Sequence, residues 1–412
     1  MKKLWYSPTL RSVVIYGASG LGFAGANLIL ARVLPATEYG LFTLVVALTN
    51  LSFALAPLGV DGIVNRRQLE AGPRLLKRTL TAAALVSTAF VIIAEVGYQL
   101  SLPLLLVVFT STFAGGAMAV AGAQFQSEQR YGISLSLTQS PNLAMLVAAL
   151  AVVVTGGRGV GLPLTICTLG FVVAALFGWS VLFRERRTKP ATESSFPWGE
   201  ALSYAGLNAA GLVLVQLDRL VIPHVLPLHD LATFGVLAAI AGSLFRVLSM
   251  GVGYTLVPRL RAAGDVLQRR RLVAHEAKLV STIVVGGSVA IWLATPFIQQ
   301  WLLAGKYHLT GSLLLAAIVS GIAKIMNSFT KSTVTALATP SELATVNLLG
   351  WISVGLAIVA AVFGARWGLA GVMYGVALGW FTRALTAFYL TLRYLRLPSV
   401  VPATAGLTPM EE

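Results

Sequence analysis

The strongest constraint on how this chain can fold is the recurrence, along nearly its whole length, of apolar stretches about 20 residues long, which a helix needs to cross a hydrocarbon core ~30 Å thick. Twelve such stretches run near 11–34, 39–60, 79–97, 102–122, 135–155, 161–182, 201–222, 231–256, 278–297, 311–332, 342–363 and 369–392. Most are joined by short Pro- or Gly-containing turns, such as Leu34-Pro35-Ala36-Thr37 and Thr155-Gly156-Gly157. The longer connectors 61–78, 183–200 and 257–277 are basic. The pattern predicts an all-α integral membrane protein of about 12 transmembrane helices. With 57% hydrophobic and 11% charged residues, and a mean hydropathy of +0.81, a water-soluble globule, a disordered chain, a collagen and a disulfide scaffold are all excluded. Cys167 stands alone in an apolar run, so it forms neither an intrachain disulfide nor a thiolate metal cluster and reads as a small core residue.

Thirty Lys and Arg against 15 Asp and Glu give a net charge of +15, which in a soluble protein would point to nucleic acid. In a membrane protein, loops rich in Lys and Arg stay on the cytoplasmic side. With the N-terminus inside, 22 of the 30 cations fall in inner segments, three (Arg158, Lys306 and Arg366) in outer loops, and five inside spans. The asymmetry predicts an even span count with both termini cytoplasmic, and it accounts for the basic charge without a nucleic-acid partner. Lys2-Lys3 resembles the start of a signal peptide, but the apolar stretch after it is too long and ends in Arg32-Val33-Leu34-Pro35, so it reads as a first helix that stays in the membrane.

The chain repeats weakly. Glu38-Tyr39-Gly40-Leu41 precedes a span and Arg66-Arg67, and Thr233-Phe234-Gly235-Val236 precedes a span and Arg259 and Arg261. Gly40 to Arg66 and Gly235 to Arg261 are both 26 residues apart, and Leu30-Ala31-Arg32-Val33 sits where Leu217-Asp218-Arg219-Leu220 sits. Two six-helix lobes are expected, related by an axis along the membrane normal, as in some transporters. Their expected boundaries are 1–189 and 190–397, followed by a cytoplasmic tail, 398–412.

Gly20, Gly22 and Gly25 imitate the G-x-G-x-x-G of a dinucleotide fold, but no strand–helix alternation surrounds them. Small residues at this spacing are instead expected to let membrane helices pack closely, as are Gly371, Gly375 and Gly379. Gly305-Lys306 is followed by Tyr307, so there is no phosphate loop of the ATPase type. His224, His229, His275 and His308 lack metal-ligand spacing, and no span carries a pair of carboxylates. No enzyme chemistry, cofactor or metal is expected.

The five in-span cations are Arg32, Arg219, Arg246, Lys324 and Arg383. Each costs at least ~2.5–3.5 kcal/mol at mid-bilayer on the translocon scale. The in-span acids are Asp218, beside Arg219, and Glu95. Arg32 and Arg219 lie near outer helix ends and can snorkel; Arg246, Lys324 and Arg383 must face a watery cavity or a counter-anion. Polar residues share their helix faces: Ser320, Lys324, Asn327, Ser328 and Lys331 on one span, Gly242, Ser243, Arg246, Ser249 and Gly253 on another, Asn208, Gln216 and Arg219 on a third. Together they read as a cationic hydrophilic path for something anionic.

The segments Leu30-Ala31-Arg32-Val33-Leu34-Pro35-Ala36-Thr37-Glu38-Tyr39-Gly40-Leu41-Phe42, Pro57-Leu58-Gly59-Val60-Asp61 and Arg66-Arg67 resemble the start of O-antigen-type polysaccharide flippases of the multidrug/oligosaccharidyl-lipid/polysaccharide exporter superfamily. Leu217-Asp218-Arg219 and Phe234-Gly235 are similar to elements of that family's second half. The resemblance implies movement of undecaprenyl-diphosphate-linked glycan units across the bacterial inner membrane by alternating access, with membrane lipids and other glycan-assembly proteins as partners. It matches Arg32 and Arg219 to the family's arginine motifs. Arg246, Lys324 and Arg383 come from the charge argument alone, and Asn208, Gln216 and Asn327 are the expected sugar contacts. Asp218 is the candidate for ion coupling, although Arg219 beside it favours its ionised form. Two alternatives stay open: a cation-coupled multidrug exporter of the same superfamily, for which five in-span cations to two acids is the wrong sign, and a membrane glycan polymerase or ligase, for which the longest outer connector, 298–310, is short.

Overall fold

The computed structural model describes residues 8–67, 69, 71–185, 196–263 and 265–396. The side chains of 8–18 and of several positions between 207 and 262, Arg246, Ser249, Gly253 and Arg261 among them, lie outside the described residues. So do the expected boundary at 189/190, the tail 398–412, and Lys2, Lys3, Arg186, Arg187 and Lys189.

The described chain is helical throughout, with no strand among the described residues. The first half comprises α1 (Pro8–Val33), α2 (Ala36–Leu55), the short α3 (Val60–Arg67), α4 (Pro73–Tyr98), α5 (Leu102–Ser127), α6 (Tyr131–Thr155) and α7 (Gly161–Arg184). The second comprises α8 (Trp198–Val225), α9 (Leu228–Ala262), α10 (Val266–Phe297), α11 (Gly311–Leu337), α12 (Pro340–Gly364) and α13 (Gly368–Tyr394). Twelve of these are long enough to cross a bilayer at 1.5 Å rise per residue. Because helices alternate in direction, α1 begins on what is here termed the N-terminal face, and the chain returns to that face at the end of α13.

Each expected span lies inside or close to an observed helix. The difference is in the basic connectors: 61–78 holds α3 and the start of α4, and most of 257–277 is the end of α9 and the start of α10. Arg, Lys, Leu and Ala are strong helix formers, so the helices run on past the apolar segment. Asp265 starts α10 by accepting a hydrogen bond from the Gln268 backbone N–H at 2.5 Å, an N-cap.

The two halves pack alike. In the first lobe α1 packs on α6, α2 on α5, α5 on α7 and α6 on α7; in the second, α8 packs on α12, α9 on α11, α11 on α13 and α12 on α13. The lobes meet mainly through α1 and α2 against α8 and α9. The two repeat glycines form this crossing reciprocally. A Cβ at Gly40 would run into the backbone carbonyl of Leu228, and one at Gly235 would lie 2.9 Å from Thr43 Oγ1 and 3.1 Å from the Tyr39 ring. Gly371, Gly375 and Gly379 likewise bring α13 against the backbone of α12. Gly22 and Gly25 differ from expectation: a Cβ at either would touch nothing, because their side of α1 faces open space, so close packing does not explain them.

Candidate functional site

Three of the charges that the sequence placed in spans meet inside the second lobe. On α8, Gln216 and Asp218 are buried, Asp218 at 2% exposure. Arg219 Nη1 donates to Gln216 Oε1 at 2.9 Å, one turn back on the same helix. From α11, Lys324 Nζ faces Asp218 Oδ2 at 3.8 Å, an ion pair too long for a hydrogen bond. Asp218 Oδ1 has no hydrogen-bond partner. The Asp218 carboxylate lies in the field of both Lys324 and Arg219, and Arg219 also acts electrostatically on Tyr39 of α2, across the lobe boundary. Lys324 thus has an acidic partner, which the sequence left unassigned between cavity and counter-anion.

Beyond Lys324 the cluster continues along α13. The Lys324 ammonium stands 6.0 Å from the centroid of the Trp380 ring, and Arg383, one turn on, is buried and acts electrostatically on Lys331 of α11. Asn327 is buried one turn from Lys324. Among the described residues, Asp218 meets Lys324 and Arg219, and Arg383 and the exposed Lys331 extend the positive charge further along this line. The arrangement favours anions: among the described residues its cations outnumber its carboxylates, and Arg383 is buried, where charge is screened poorly.

Other expected residues are not drawn in. Arg32 is exposed at the end of α1, and Asn208 caps back onto its own helix, donating to the Tyr204 carbonyl at 3.4 Å. No hydrogen bond or ion pair links either to the cluster among the described residues. Arg246 lies on α9, but its side chain is outside the described residues. No group of His, Cys, Asp and Glu suited to a metal occurs among the described residues, and Cys167 is buried in α7.

The lobes are held together at both faces by residues that the sequence did not single out. On the N-terminal face, Glu200 at the start of α8 accepts from Arg66 Nη1 at 2.9 Å and Arg67 Nη2 at 2.5 Å. Gly59, at φ +82°, sits against the Ala201 carbonyl, where a Cβ would overlap backbone; the left-handed φ and the close approach both require glycine. On the opposite face, Lys306 Nζ donates to the carbonyl of Ala31 at 2.8 Å and to that of Leu34. The Tyr307 hydroxyl donates to Ala31 O at 3.3 Å, and its ring meets Tyr39 edge-on. A cation on these carbonyls satisfies the exposed C-terminal end of α1 and its dipole. The one available signal was that Lys306 is a rare cation on a face that carries few. Between α1, α9 and α10 a crevice of about 330 Å³ opens, lined by Ala24, Leu28, Ala239, Ser243, Ala290 and Ala294 among others.

No family model and no curated protein matches the sequence. Solved structures match over nearly the whole chain. One, described as the lipid II flippase MurJ in an inward closed conformation, aligns with TM-score 0.65 at 11% identity, covering 94% of this chain and 89% of that one. A eukaryotic MATE transporter aligns with TM-score 0.61 at 12% identity, covering 95% and 98%. A Pyrococcus furiosus transporter of the MOP superfamily, described as having a binding pocket of reverse polarity that suggests a different function, aligns with TM-score 0.58 at 12% identity, covering 93% and 95%. The proteins so matched are transporters and a flippase rather than enzymes. The chain shares the all-helical, two-lobed fold of these solved structures.

Proposed function

We propose that this protein is a flippase for undecaprenyl-diphosphate-linked oligosaccharide, of the O-antigen type, working by alternating access in the bacterial inner membrane with both termini cytoplasmic. The observation that carries this reading is the sign of the cluster: among the described residues Asp218 is the carboxylate that stands beside Lys324, at 3.8 Å, and Arg219, while Arg383 lies buried further along α13, so cations outnumber acids. A lipid diphosphate suits such surplus, since Arg and Lys bind phosphate oxygens by charge-assisted hydrogen bonds. Arg32, Arg219, Arg246, Lys324 and Arg383 supply the field in this reading, and Asn208, Gln216 and Asn327 the hydroxyl contacts. The first lobe is 1–189 and the second 190–397. The likeness in fold to a lipid II flippase supports a lipid-linked cargo.

The same fold is shared by MATE transporters, which supports the multidrug exporter as the second reading. A cationic drug is poorly served here, because the buried carboxylate available to it already has an ammonium beside it. For the same reason, ion coupling through Asp218 requires Lys324 to move as the proton or metal ion arrives. The deciding experiment deletes the protein and asks where lipid-linked oligosaccharide accumulates. Trapping in the inner leaflet is the expected result; normal export of glycan together with sensitisation to cationic drugs would replace this reading with the second.

A further inference from the structure

The first lobe has a crevice of about 480 Å³ between α4 and α5, apart from the charge cluster and from the closures between the lobes. One wall is a stripe of α4 at helical spacing, Leu76, Lys77, Leu80, Thr81 and Ala84, and Phe113 of α5 closes the other side. Lys77 and Thr81 are exposed and the apolar residues half-buried, so the crevice opens on the outside of the bundle, where the bilayer lies. Thr81 Oγ1 donates to the Lys77 carbonyl at 2.9 Å, so its hydroxyl proton is already used within the helix.

Of the residues lining the crevice, Lys77 alone is charged. Its ammonium has no hydrogen bond or ion pair among the described residues, and the first turn of α4 carries no acid. The neighbouring Arg78 is occupied by the Phe196 ring, 4.9 Å from its centroid. Lys77 stands just before the apolar run that begins near 79, at the height of lipid headgroups. From there the stripe continues about 12 Å deeper along α4, from Leu76 to Ala84. An apolar crevice with one cation at its mouth matches an amphiphile with an apolar chain and one negative charge at its end. The chain fills the crevice, and the ammonium selects the headgroup by charge at the interface. We propose that this crevice binds a bilayer phospholipid of net negative charge, of the phosphatidylglycerol kind. One acyl chain lies along Leu76, Leu80, Ala84 and Phe113, with the phosphate at Lys77. This site is independent of what the protein transports.

The test uses the full-length protein in neutral detergent, titrated with dioleoyl phosphatidylglycerol or dioleoyl phosphatidylcholine, with the first bound lipid counted by native mass spectrometry. Phosphatidylglycerol is expected to bind more tightly, and to weaken about fivefold in K77Q, with phosphatidylcholine binding unchanged in that variant. K278Q removes an exposed lysine at the start of another apolar segment, on α10, and should leave both affinities as they are. A84W fills the deep end of the crevice and should weaken both lipids. Glycerol phosphate, the headgroup without its chains, should not displace the lipid at matching concentration. Equal wild-type affinities for the two lipids, a K77Q protein indistinguishable from wild type, a loss in K278Q as large as in K77Q, an unaffected A84W, or displacement by glycerol phosphate would overturn the inference.

Discussion

At Asp218, burial and charge oppose each other. The carboxylate is nearly inaccessible, and Lys324, about a third exposed, stands 3.8 Å away on another helix. A buried pair is weak support for stability, but removing one partner strands the other, at ~3–5 kcal/mol. K324Q is therefore expected to destabilise the protein toward the low end of that range, given the exposure of Lys324, and D218N to destabilise it less. The double variant should recover part of the loss, and thermal unfolding of all four proteins measures the coupling; additive losses would mean that the pair is not energetically joined. A second residue gives a pH dependence. Asp61 of α3 lies outside the spans, and burial pushes its carboxyl above the usual range against the smaller opposing effect of backbone hydrogen bonds. A folded state that favours the protonated form is most stabilised below the ordinary carboxylate pKa of ~3.9, and loses that contribution as pH rises through the raised value. Wild type should thus lose stability as pH increases through this window, while D61N should stay flat; identical pH profiles would count against a role for Asp61.

The spans were legible in sequence because a bilayer demands long apolar runs, and helices are the way these runs satisfy their backbone. The helix ends in basic connectors were not, since Arg-rich sequence is equally compatible with a loop and with helix extending beyond the lipid. The lobe crossing lay in between. Gly40 and Gly235 were visible as repeat markers, but only packing made them the points at which α2 and α9 touch. The carbonyl of Leu228 is backbone and cannot yield, so G40A is expected to cost about 1–3 kcal/mol as overpacking, seen as a lower Tm. An unchanged Tm in G40A would mean that the lobes part at little cost.

For the whole molecule, closure at two faces is the main consequence of the tertiary structure. Glu200 holds Arg66 and Arg67 on the N-terminal face, and Lys306 holds the end of α1 on the other. In the alternating access proposed above each closure breaks in turn, and a variant shifts the balance by whatever it removes from one closed state. E200Q should raise the accessibility of introduced cysteines on the N-terminal face, and K306Q on the opposite face, each severalfold; accessibility rising on both faces in both variants would mean general loosening.

The sequence alone determined that this chain is helical, with about 12 stretches apolar and long enough to span a bilayer and five cations within those stretches. Those properties follow from local composition, which the bilayer reads residue by residue. Only the tertiary structure decided which charges meet: Lys324 found Asp218 from 106 positions away, Arg383 settled between Gly211 and Gly350, and Lys306 reached the carbonyls of α1. Pairing depends on which helix faces oppose each other and at what height, and these are set by small-residue contacts between helices. A single apolar span carries little information about them.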